Sequence, residues 1–380
     1  MEFEFTNEQK IIRQTAKEFA EAEIAPSSIE RDISGKFPTE IVKKLGELGF
    51  MGIMVHPDYE GAGLDTVSHV LALIEISKVD ASVGVIMSVN NSLVCFGLEK
   101  YGSDFIKKKY LTQLASGQKL GAFALSEPEA GSDATKQKTS AVKDGDNYIL
   151  NGTKNWITNG QSADYFLVMA STDKSKESKG ISTFLVEKGW DGFEHGKKED
   201  KLGIRSSDTC SLSFSNVKIP VENLIWEEGK GFNFAMETLN GGRIGIAAQA
   251  IGIAEASLEA SIKYSKERNA FDSAISNLQA IQFKLADMAV KIDAAKLLTF
   301  RAASFKDAGE KYFKEAAMAK LYASKIAVEC ALEAIQIHGG YGYVREYLVE
   351  RYLRDAKITE IYEGTSEIQR LVIARALLNS

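Results

Sequence analysis

Proline placement limits what this chain can fold into more than any other feature of its sequence. All five prolines lie before residue 221, and the last 160 of the 380 residues contain none. Proline lacks a backbone N–H and clashes with the preceding helical turn, so it interrupts helices. We therefore expect the longest helices in the second part of the chain.

Hydrophobic periodicity predicts a helical region over residues 6–118. Thr6 and Gln9 form a capping-box pattern, and apolar residues follow them at helical spacing. Further helices are predicted over residues 39–49, 65–78 and 81–99.

The pattern changes near residue 120 to short segments rich in β-branched and aromatic residues, separated by turn residues such as Asn159-Gly160. These segments predict a small, largely antiparallel β-domain. The expected strands are Gly121–Leu125, Tyr148–Gly152, Asn155–Thr158, Tyr165–Ala170, Ile181–Glu187 and Ser211–Phe214.

Helical spacing returns near residue 231, in a region rich in alanine. The predicted helices cover residues 243–267, 278–307, 311–339 and 365–378. The expected fold class is therefore α+β, with an N-terminal helical domain (1–119), a middle antiparallel β-domain (120–228) and a C-terminal four-helix-bundle domain (229–380).

Bulk properties exclude several classes of function. A net charge of -6 and a pI near 5.5 argue against a nucleic-acid surface. Cys95, Cys210 and Cys330 are far apart and have no C-x-x-C spacing, which indicates a reducing compartment. The four histidines are scattered, so no metal site is expected. No apolar run reaches the roughly 18 residues of a membrane span, so we expect no membrane insertion. The first residues lack the basic region of a signal peptide, so we expect a bacterial cytoplasm, with a trimmed mitochondrial matrix protein as the alternative.

The segment 361–369 offers the strongest candidate for catalysis. It reads Ile-Tyr-Glu-Gly-Thr-Ser-Glu-Ile-Gln, so Glu363 is followed by a glycine and two hydroxyl residues. A carboxylate beside a glycine and two hydroxyl residues can lie exposed at a turn, close to a bound molecule. The segment resembles the catalytic turn of the acyl-CoA dehydrogenases, flavoenzymes that desaturate acyl thioesters.

A redox function requires a cofactor, because side chains do not readily accept hydride. No G-x-G-x-x-G follows a predicted strand and no P-loop occurs, so a dinucleotide would need a different fold. Four segments are candidates for holding it: 123–133, 156–158, 268–271 and 336–340. Each also has a plain structural interpretation, such as a core tryptophan at Trp156 or a helix stop at Gly339-Gly340.

The order of these four segments, with Glu363 last, resembles the acyl-CoA dehydrogenase family over essentially the whole chain. The closest branch is that of the short-chain, or butyryl-CoA, dehydrogenases. Segments typical of that branch are residues 84–93, 197–205, 281–289 and 314–321.

The resemblance implies FAD as cofactor. In the family, the segment matching 336–340 serves the flavin of a neighbouring subunit, which implies a homotetramer built from two dimers. The residues that the resemblance assigns to FAD are Phe123, Leu125, Ser126, Ser132, Trp156, Ile157, Thr158, Arg268, Asn269, Ala270, Phe271, Gln279, Gln336, Ile337, His338, Gly339, Gly340, Thr365, Ser366 and Glu367.

The resemblance also implies that Glu363 is the base that removes the α-proton of the thioester. Some branches take their base from the helix just before Arg243, but Gly241-Gly242 stands there, so Glu363 has no rival. Two positions depart from many relatives: Ala270 replaces a hydroxyl residue, and Asn240 replaces an aspartate. The residues assigned to the thioester and CoA are Ser132, Asn240, Gly241, Gly242, Arg243, Gly364 and Arg375.

The function implied is FAD-dependent α,β-dehydrogenation of a short-chain acyl-CoA to the trans-2-enoyl-CoA, with electrons passed to an electron-transferring flavoprotein. The segment Val85–Leu93, where the family's acyl tail ends, has no Arg or Lys to pair with a second carboxylate, which disfavours dicarboxylic substrates. The enzyme alternatives are an acyl-CoA oxidase and a dehydrogenase for another acyl chain. The alternative from another class is a non-enzymatic acyl-CoA-binding or scaffold protein.

Overall fold

The structure is a computed structural model and describes residues 4–379. Residues 1–3 and 380 lie outside the described residues. The first predicted domain begins with residues 1–3, which also belong to the segment used to judge a leader peptide, and the third ends with residue 380.

The first region of the fold is helical, as predicted. Thr6 and Gln9 form the expected capping box, in which each side chain accepts a hydrogen bond from the other residue's backbone N–H. The helices are α1 (Asn7–Phe19), α2 (Ser28–Ser34), α3 (Thr39–Glu47), α4 (Thr66–Val79), α5 (Ala81–Ser88), α6 (Phe96–Tyr101), α7 (Asp104–Ile106) and α8 (Thr112–Ala115).

The segment Ala81–Tyr101 forms one continuous helix, in which α5 and α6 are joined by the π-helical turn Val89–Cys95. Asn90 and Asn91 in this turn are buried and bond backbone groups of three other segments, including the N–H of Gly121 at 3.0 Å and the carbonyl of Phe50 at 2.8 Å. By length and composition the helix is apolar enough to cross a membrane, which the sequence estimate missed, yet 94% of its apolar window is buried inside the protein. The helix is therefore covered by the rest of the fold.

The middle region is an eight-stranded sheet with the order β6-β7-β3-β2-β4-β5-β8, while β1 pairs with β4. Its strands are β1 (Gly121–Ala124), β2 (Ser140–Asp144), β3 (Asn147–Thr158), β4 (Tyr165–Ser171), β5 (Ile181–Glu187), β6 (Phe193–His195), β7 (Thr209–Pro220) and β8 (Leu224–Ile225). The sheet is mostly antiparallel, as predicted, but β1 runs parallel to β4, as does the single bridge between β2 and β4.

The third region contains the long helices that the absence of proline permits. They are α9 (Gly231–Glu267), α10 (Gln279–Asp307), α11 (Phe313–His338), α12 (Val349–Ile358) and α13 (Ser366–Leu378), and a short hairpin of β9 (Asn269–Ala270) and β10 (Ser273–Ala274) separates α9 from α10. Helix α9 contacts α4, α10 and α11. Nearly every residue from Gly241 to Ser257 is therefore buried, which explains its apolar character all round.

The α+β fold class is thus confirmed, with helices before and after a β-region. The structure changes from helix to strand between Ala115 and Gly121, and from strand to helix between Ile225 and Gly231. The exact bounds of the three predicted domains stay a prediction.

Candidate active site

Glu363 lies in the turn that joins α12 to α13. Its backbone is left-handed, with φ of 52°, and Gly364 follows with φ of 92°. A positive φ is unfavourable for a residue with a side chain, so such a residue marks a functional or strained position. Thr365 then caps α13, since its hydroxyl accepts a hydrogen bond from the N–H of Ile368 at 3.3 Å.

The side chain of Glu363 crosses to helix α9 and lies directly over Gly242. A methyl group placed on Gly242 would be 2.1 Å from Oε2 of Glu363 and 2.8 Å from Leu93. Only glycine leaves room for the carboxylate here. Gly241 and Gly242 therefore do more than exclude a rival base, because the second of them makes the space that Glu363 fills.

The carboxylate of Glu363 is held in an unusual electrostatic state. Oε2 is shut off from solvent and has no hydrogen-bond partner among residues 4–379. Burial raises the pKa of Glu363 to about 7, and the charges of Lys320 and Arg243 oppose that rise. Burial within the fold is by itself enough to produce this shift.

The backbone N–H of Glu363 is also free. No hydrogen bond from it to another described residue occurs, while its carbonyl accepts one from Nε2 of Gln369 at 3.3 Å. The turn thus presents a carboxylate and an unused donor from the same residue. A base and an oxyanion ligand in one place are what enolisation of a carbonyl compound requires.

Two buried cations flank the carboxylate. Arg243 of α9 is 5% exposed, and its Nη1 donates to Oδ1 of Asn240 at 2.7 Å while its Nε has no partner in the described part of the chain. Burial lowers the pKa of Arg243, and the Glu363 charge opposes this. Lys320 of α11, which sequence reasoning did not select, is fully buried and donates to the carbonyl of Gly364 at 2.7 Å.

The small residues of α9 face the π-helical turn of residues 89–95 and the end of α5. A methyl group on Gly245 would lie 2.3 Å from Oγ of Ser88, and one on Gly241 would lie 3.9 Å from Nζ of Lys306. Lys306 comes from α10, and its ammonium lies over the ring of Phe96 at 4.7 Å. The segment Val85–Leu93 contains no cation, as the sequence showed, but the packing of α10 places the ammonium of Lys306 near it.

A bulge in β3 displays Trp156. The pairing register of β3 with β7 shifts between Lys154 and Ile157, so these two residues both point inwards while Trp156 is 62% exposed with φ of 60°. Trp156 is therefore not a core residue, whereas Ile157 is, and only the backbone of Ile157 remains available to a ligand. The adjacent Asn155 donates its N–H to the carbonyl of Ser126 at 2.9 Å, which ties the bulge to the loop after β1.

Under that loop lies a buried ion pair. Nζ of Lys154 donates to Glu127 at 2.8 Å, to the carbonyl of Leu125 at 3.0 Å and to Gln137 at 2.9 Å. Burial alone would raise the pKa of Glu127, but the Lys154 ammonium holds it below its usual value. This pair fixes the path of the loop from Leu125 to Ala130.

A second group of predicted residues lines a separate pocket of about 570 Å³. Arg268, which caps α9, meets Ile337, His338, Gly339 and Gly340 there, at the end of α11. Neither Glu363 nor Trp156 lines this pocket. Methyl groups on Gly339 or Gly340 would have no atom of the described residues within 4 Å, so the backbone is open to a ligand.

The remaining predicted residues lie on the surface or at helix ends. Phe271 lies between β9 and β10 in the hairpin and is 87% exposed. Gln279 is the first residue of α10. Ser132, Glu367 and Arg375 are exposed, while Ser366 is buried.

Three family models match the chain in succession. They describe the acyl-CoA dehydrogenase N-terminal domain (residues 6–118), middle domain (122–217) and C-terminal domain (229–378).

Known proteins are similar over the full length. The mitochondrial short-chain specific acyl-CoA dehydrogenase of Mus musculus is 54% identical over 99% of this chain and 92% of its own length. The solved butyryl-CoA dehydrogenase of Megasphaera elsdenii is 47% identical, with a TM-score of 0.98 over 100% of both chains. A chain from the structure described as "Electron transferring flavoprotein of Acidaminococcus fermentans: Towards a mechanism of flavin-based electron bifurcation" is 50% identical, with a TM-score of 0.99 over 100% of both chains.

Proposed function

The chain belongs to the acyl-CoA dehydrogenase family, and from this premise we propose that it oxidises short-chain acyl-CoA, with butyryl-CoA as the model substrate, using Glu363 as the base. It is an oxidoreductase that acts on a carbon–carbon single bond. The observation that carries the residue assignment is the Glu363 carboxylate, whose Oε2 is closed off from solvent with no hydrogen-bond partner in the described residues and whose pKa is raised to about 7 by burial. A base of this pKa is close to ideal for proton transfer near neutral pH.

The residues of the turn account for the removal of the α-proton. The α-carbon of a thioester gives up its proton to Glu363, and negative charge develops on the thioester oxygen. The free N–H of Glu363 is a donor for that oxygen, as in an oxyanion hole. The protonated Glu363 is then neutral, which suits its buried position.

FAD, when bound, supplies the acceptor for the β-hydrogen and its electron pair. The exposed indole of Trp156 offers a flat surface for stacking, and the loop 125–132, fixed by Lys154 and Glu127, offers backbone and hydroxyl groups. Arg268 with the open backbone of Gly339-Gly340 suits an anionic pyrophosphate or nucleotide group. These residues fit the cofactor that the family uses.

A second copy of the chain completes the site in this proposal. The pocket of Arg268 and residues 337–340 is lined by neither Glu363 nor Trp156, so in this proposal one chain contributes residues to more than one flavin site. We therefore propose that the protein is a homotetramer built from two dimers. Its electrons pass to an electron-transferring flavoprotein, in line with the Acidaminococcus fermentans structure. The bacterial relatives support a cytoplasmic location, although the mouse relative is mitochondrial.

The acyl group is short and straight in this proposal. The names of the mouse and Megasphaera elsdenii relatives support that choice. Lys306 bears on whether a dicarboxylic acyl group fits the site, because its ammonium lies beside Gly241. Burial lowers the pKa of Lys306 to about 8, and the charges of Asp307 and Glu99 oppose this. These two carboxylates make the surroundings of Lys306 unsuited to a second acyl carboxylate.

The test is the reductive half-reaction of the FAD-loaded protein without oxygen. Butyryl-CoA should bleach the flavin absorbance, octanoyl-, isovaleryl- and glutaryl-CoA should do so more slowly, and Glu363→Gln should slow bleaching roughly 10²–10⁴-fold while still binding thioester. The control is Glu360→Gln, three residues earlier, whose carboxylate pairs with Lys357 at 2.6 Å. A faster rate with octanoyl-CoA would overturn the chain-length proposal, and a near-normal Glu363→Gln rate would remove Glu363 from its role.

The oxidase alternative is separated by the fate of the reduced flavin. The proposal expects slow reoxidation by air and fast reoxidation by an electron-transferring flavoprotein. The reverse order would identify an oxidase, and a protein that takes up no FAD would leave only the scaffold interpretation.

A further inference from the structure

Lys320 is a buried cation that no part of the proposed chemistry yet uses. It is 0% exposed, and within residues 4–379 Nζ makes one hydrogen bond, to the carbonyl of Gly364 at 2.7 Å. No carboxylate of residues 4–379 lies within ion-pair distance of it. Burying an ammonium group costs several kcal/mol unless the site compensates it, so a purely structural lysine is an expensive choice here.

The bond of Lys320 ends on the turn that carries Glu363. The carbonyl of Gly364 also accepts Nε2 of Gln369 at 2.8 Å, so two buried side chains hold one carbonyl oxygen. One turn along α11, Ser324 donates to the carbonyl of Thr359 at 2.8 Å, before the same turn. Helix α11 therefore clamps both sides of a backbone that is left-handed at Glu363 and Gly364.

We propose that Lys320 is a positioning residue for the base: it fixes the turn through the Gly364 carbonyl and supplies a positive charge that favours ionised Glu363. The inference rests on the proposed role of Glu363. Three facts support it: complete burial, a hydrogen bond of 2.7 Å next to the base, and the lack of a carboxylate of residues 4–379 within ion-pair distance of the ammonium.

Electrostatics around the turn agree with this role. Of the cations facing Glu363, Lys320 comes from α11 and Arg243 from α9, and both lower its pKa against the effect of burial. Burial lowers the pKa of Lys320 to about 8, and the Glu363 charge is the largest effect that opposes this. The Arg243 charge also lowers the pKa of Lys320, while Glu360 and Glu367 raise it more weakly. Tyr362, beside the base, is neutral because burial raises its pKa. Lys320 and Glu363 thus stabilise each other's charged forms.

The test compares Lys320→Met, which removes the charge and the donor, with Lys320→Arg, which keeps the charge. The control is Lys325→Met, a lysine of the same helix that is 62% exposed. Single-turnover flavin reduction by butyryl-CoA is measured from about pH 6 to about pH 9. A nearby opposite charge shifts the pKa of a carboxyl group by roughly one to three units. We therefore expect the pH midpoint of Lys320→Met to rise by about one unit or more, with a roughly fivefold to tenfold slower rate near pH 7 that recovers at alkaline pH.

Lys320→Arg should keep a midpoint close to that of the unmodified protein, and Lys325→Met should change nothing. A merely structural lysine would lower the rate at every pH without moving the midpoint, and that result would overturn the inference. So would a Lys320→Met profile that matches the unmodified protein.

A second readout does not depend on substrate. Infrared titration of the protonated carboxyl band, assigned by its loss in Glu363→Gln, follows the base directly in the FAD-loaded protein. If no thioester bleaches the flavin, the proposed function fails while this titration still decides the role of Lys320. If Lys320→Met does not fold, Lys320→Gln, which keeps a donor without the charge, is judged by the same upward shift of the carboxyl midpoint, and an unmoved midpoint refutes the inference.

Discussion

Replacing Gly242 by alanine should disable the base without disturbing the fold. The added methyl group would lie 2.1 Å from Oε2 and 3.0 Å from Cδ of Glu363. The Glu363 side chain is flexible at that end, so it moves instead of the helix. It has to retreat by about 1.3 Å to reach ordinary contact at about 3.4 Å, and a misplacement of about 1 Å can cost about 10²-fold in rate.

The assay is single-turnover flavin reduction by butyryl-CoA at saturating substrate, with the midpoint of thermal unfolding measured in parallel. We expect flavin reduction about 10²-fold slower in Gly242→Ala. Unfolding should not explain the loss, because glycine inside a helix is about 0.5–1 kcal/mol less favourable than alanine and the variant gains this difference. Leu93, 2.8 Å from the new methyl, offsets part of that gain.

Gly241→Ala is the matched comparison, since it makes the same change one residue earlier. Its methyl group would meet only the carbonyl oxygen of Ser92 at 3.8 Å and Nζ of Lys306 at 3.9 Å, which are ordinary contacts. Its rate loss should therefore be distinctly smaller. Equal losses in the two variants, or a normal rate in Gly242→Ala, would refute the idea that the working carboxylate lies over Gly242.

Two further predictions concern stability and cofactor retention. Lys154→Met leaves Glu127 as an uncompensated buried charge, which should lower the free energy of unfolding by about 3–5 kcal/mol and weaken FAD retention. Urea unfolding and dialysis measure the two effects, with Lys143→Met, a change at an exposed lysine, as the control. Equal FAD loss in both variants would contradict this prediction. Because burial raises the pKa of Glu363 to about 7, the folded protein binds the proton more tightly than the unfolded chain, so stability present at low pH is lost as pH rises from about 4.5 to about 7, by about 3 kcal/mol. Glu363→Gln lacks this loss and should have the higher unfolding temperature near pH 8 but not near pH 5; an equal difference at both values would show that ionisation is not the cause.

Elements with a uniform pattern were predictable from the sequence. The expected strand Ile181–Glu187 and the helix over residues 278–307 agree with β5 and α10 to within one residue. Both have continuous apolar or helical spacing and no internal irregularity. The turn of Glu363 was recognised for a similar reason, since glycine and two hydroxyl residues mark it.

Other elements were hidden by buried charge or by irregular pairing. Helix α12 was missed because its buried face includes Arg351 and Asp355, which form an ion pair at 3.2 Å and read as surface residues in the sequence. Strand β3 was predicted as two strands because Gly152 ends the first β-rich run, at a place where the pairing register of β3 with β7 shifts between Leu150 and Gly152. Strand β2 was missed because only Ala141 in it is buried.

The partners of the base were the least predictable part of the site. Lys320 lies among alanines in α11, a pattern that normally indicates a solvated lysine on a helix surface. Lys306 is distant in sequence from Val85–Leu93 and reaches Gly241 only through the packing of α10 against α9. Periodicity reports which face of a helix is buried, but it does not report which buried charge meets which turn.

The helix Ala81–Tyr101 has a consequence for how the chain is made. Until the rest of the fold covers it, the apolar surface of this segment is exposed to solvent. Its cover includes β1 and helix α9, which begins at Gly231, so the ribosome must add well over a hundred residues before the shelter is complete. During that interval the exposed apolar surface of the helix makes the nascent chain prone to aggregation.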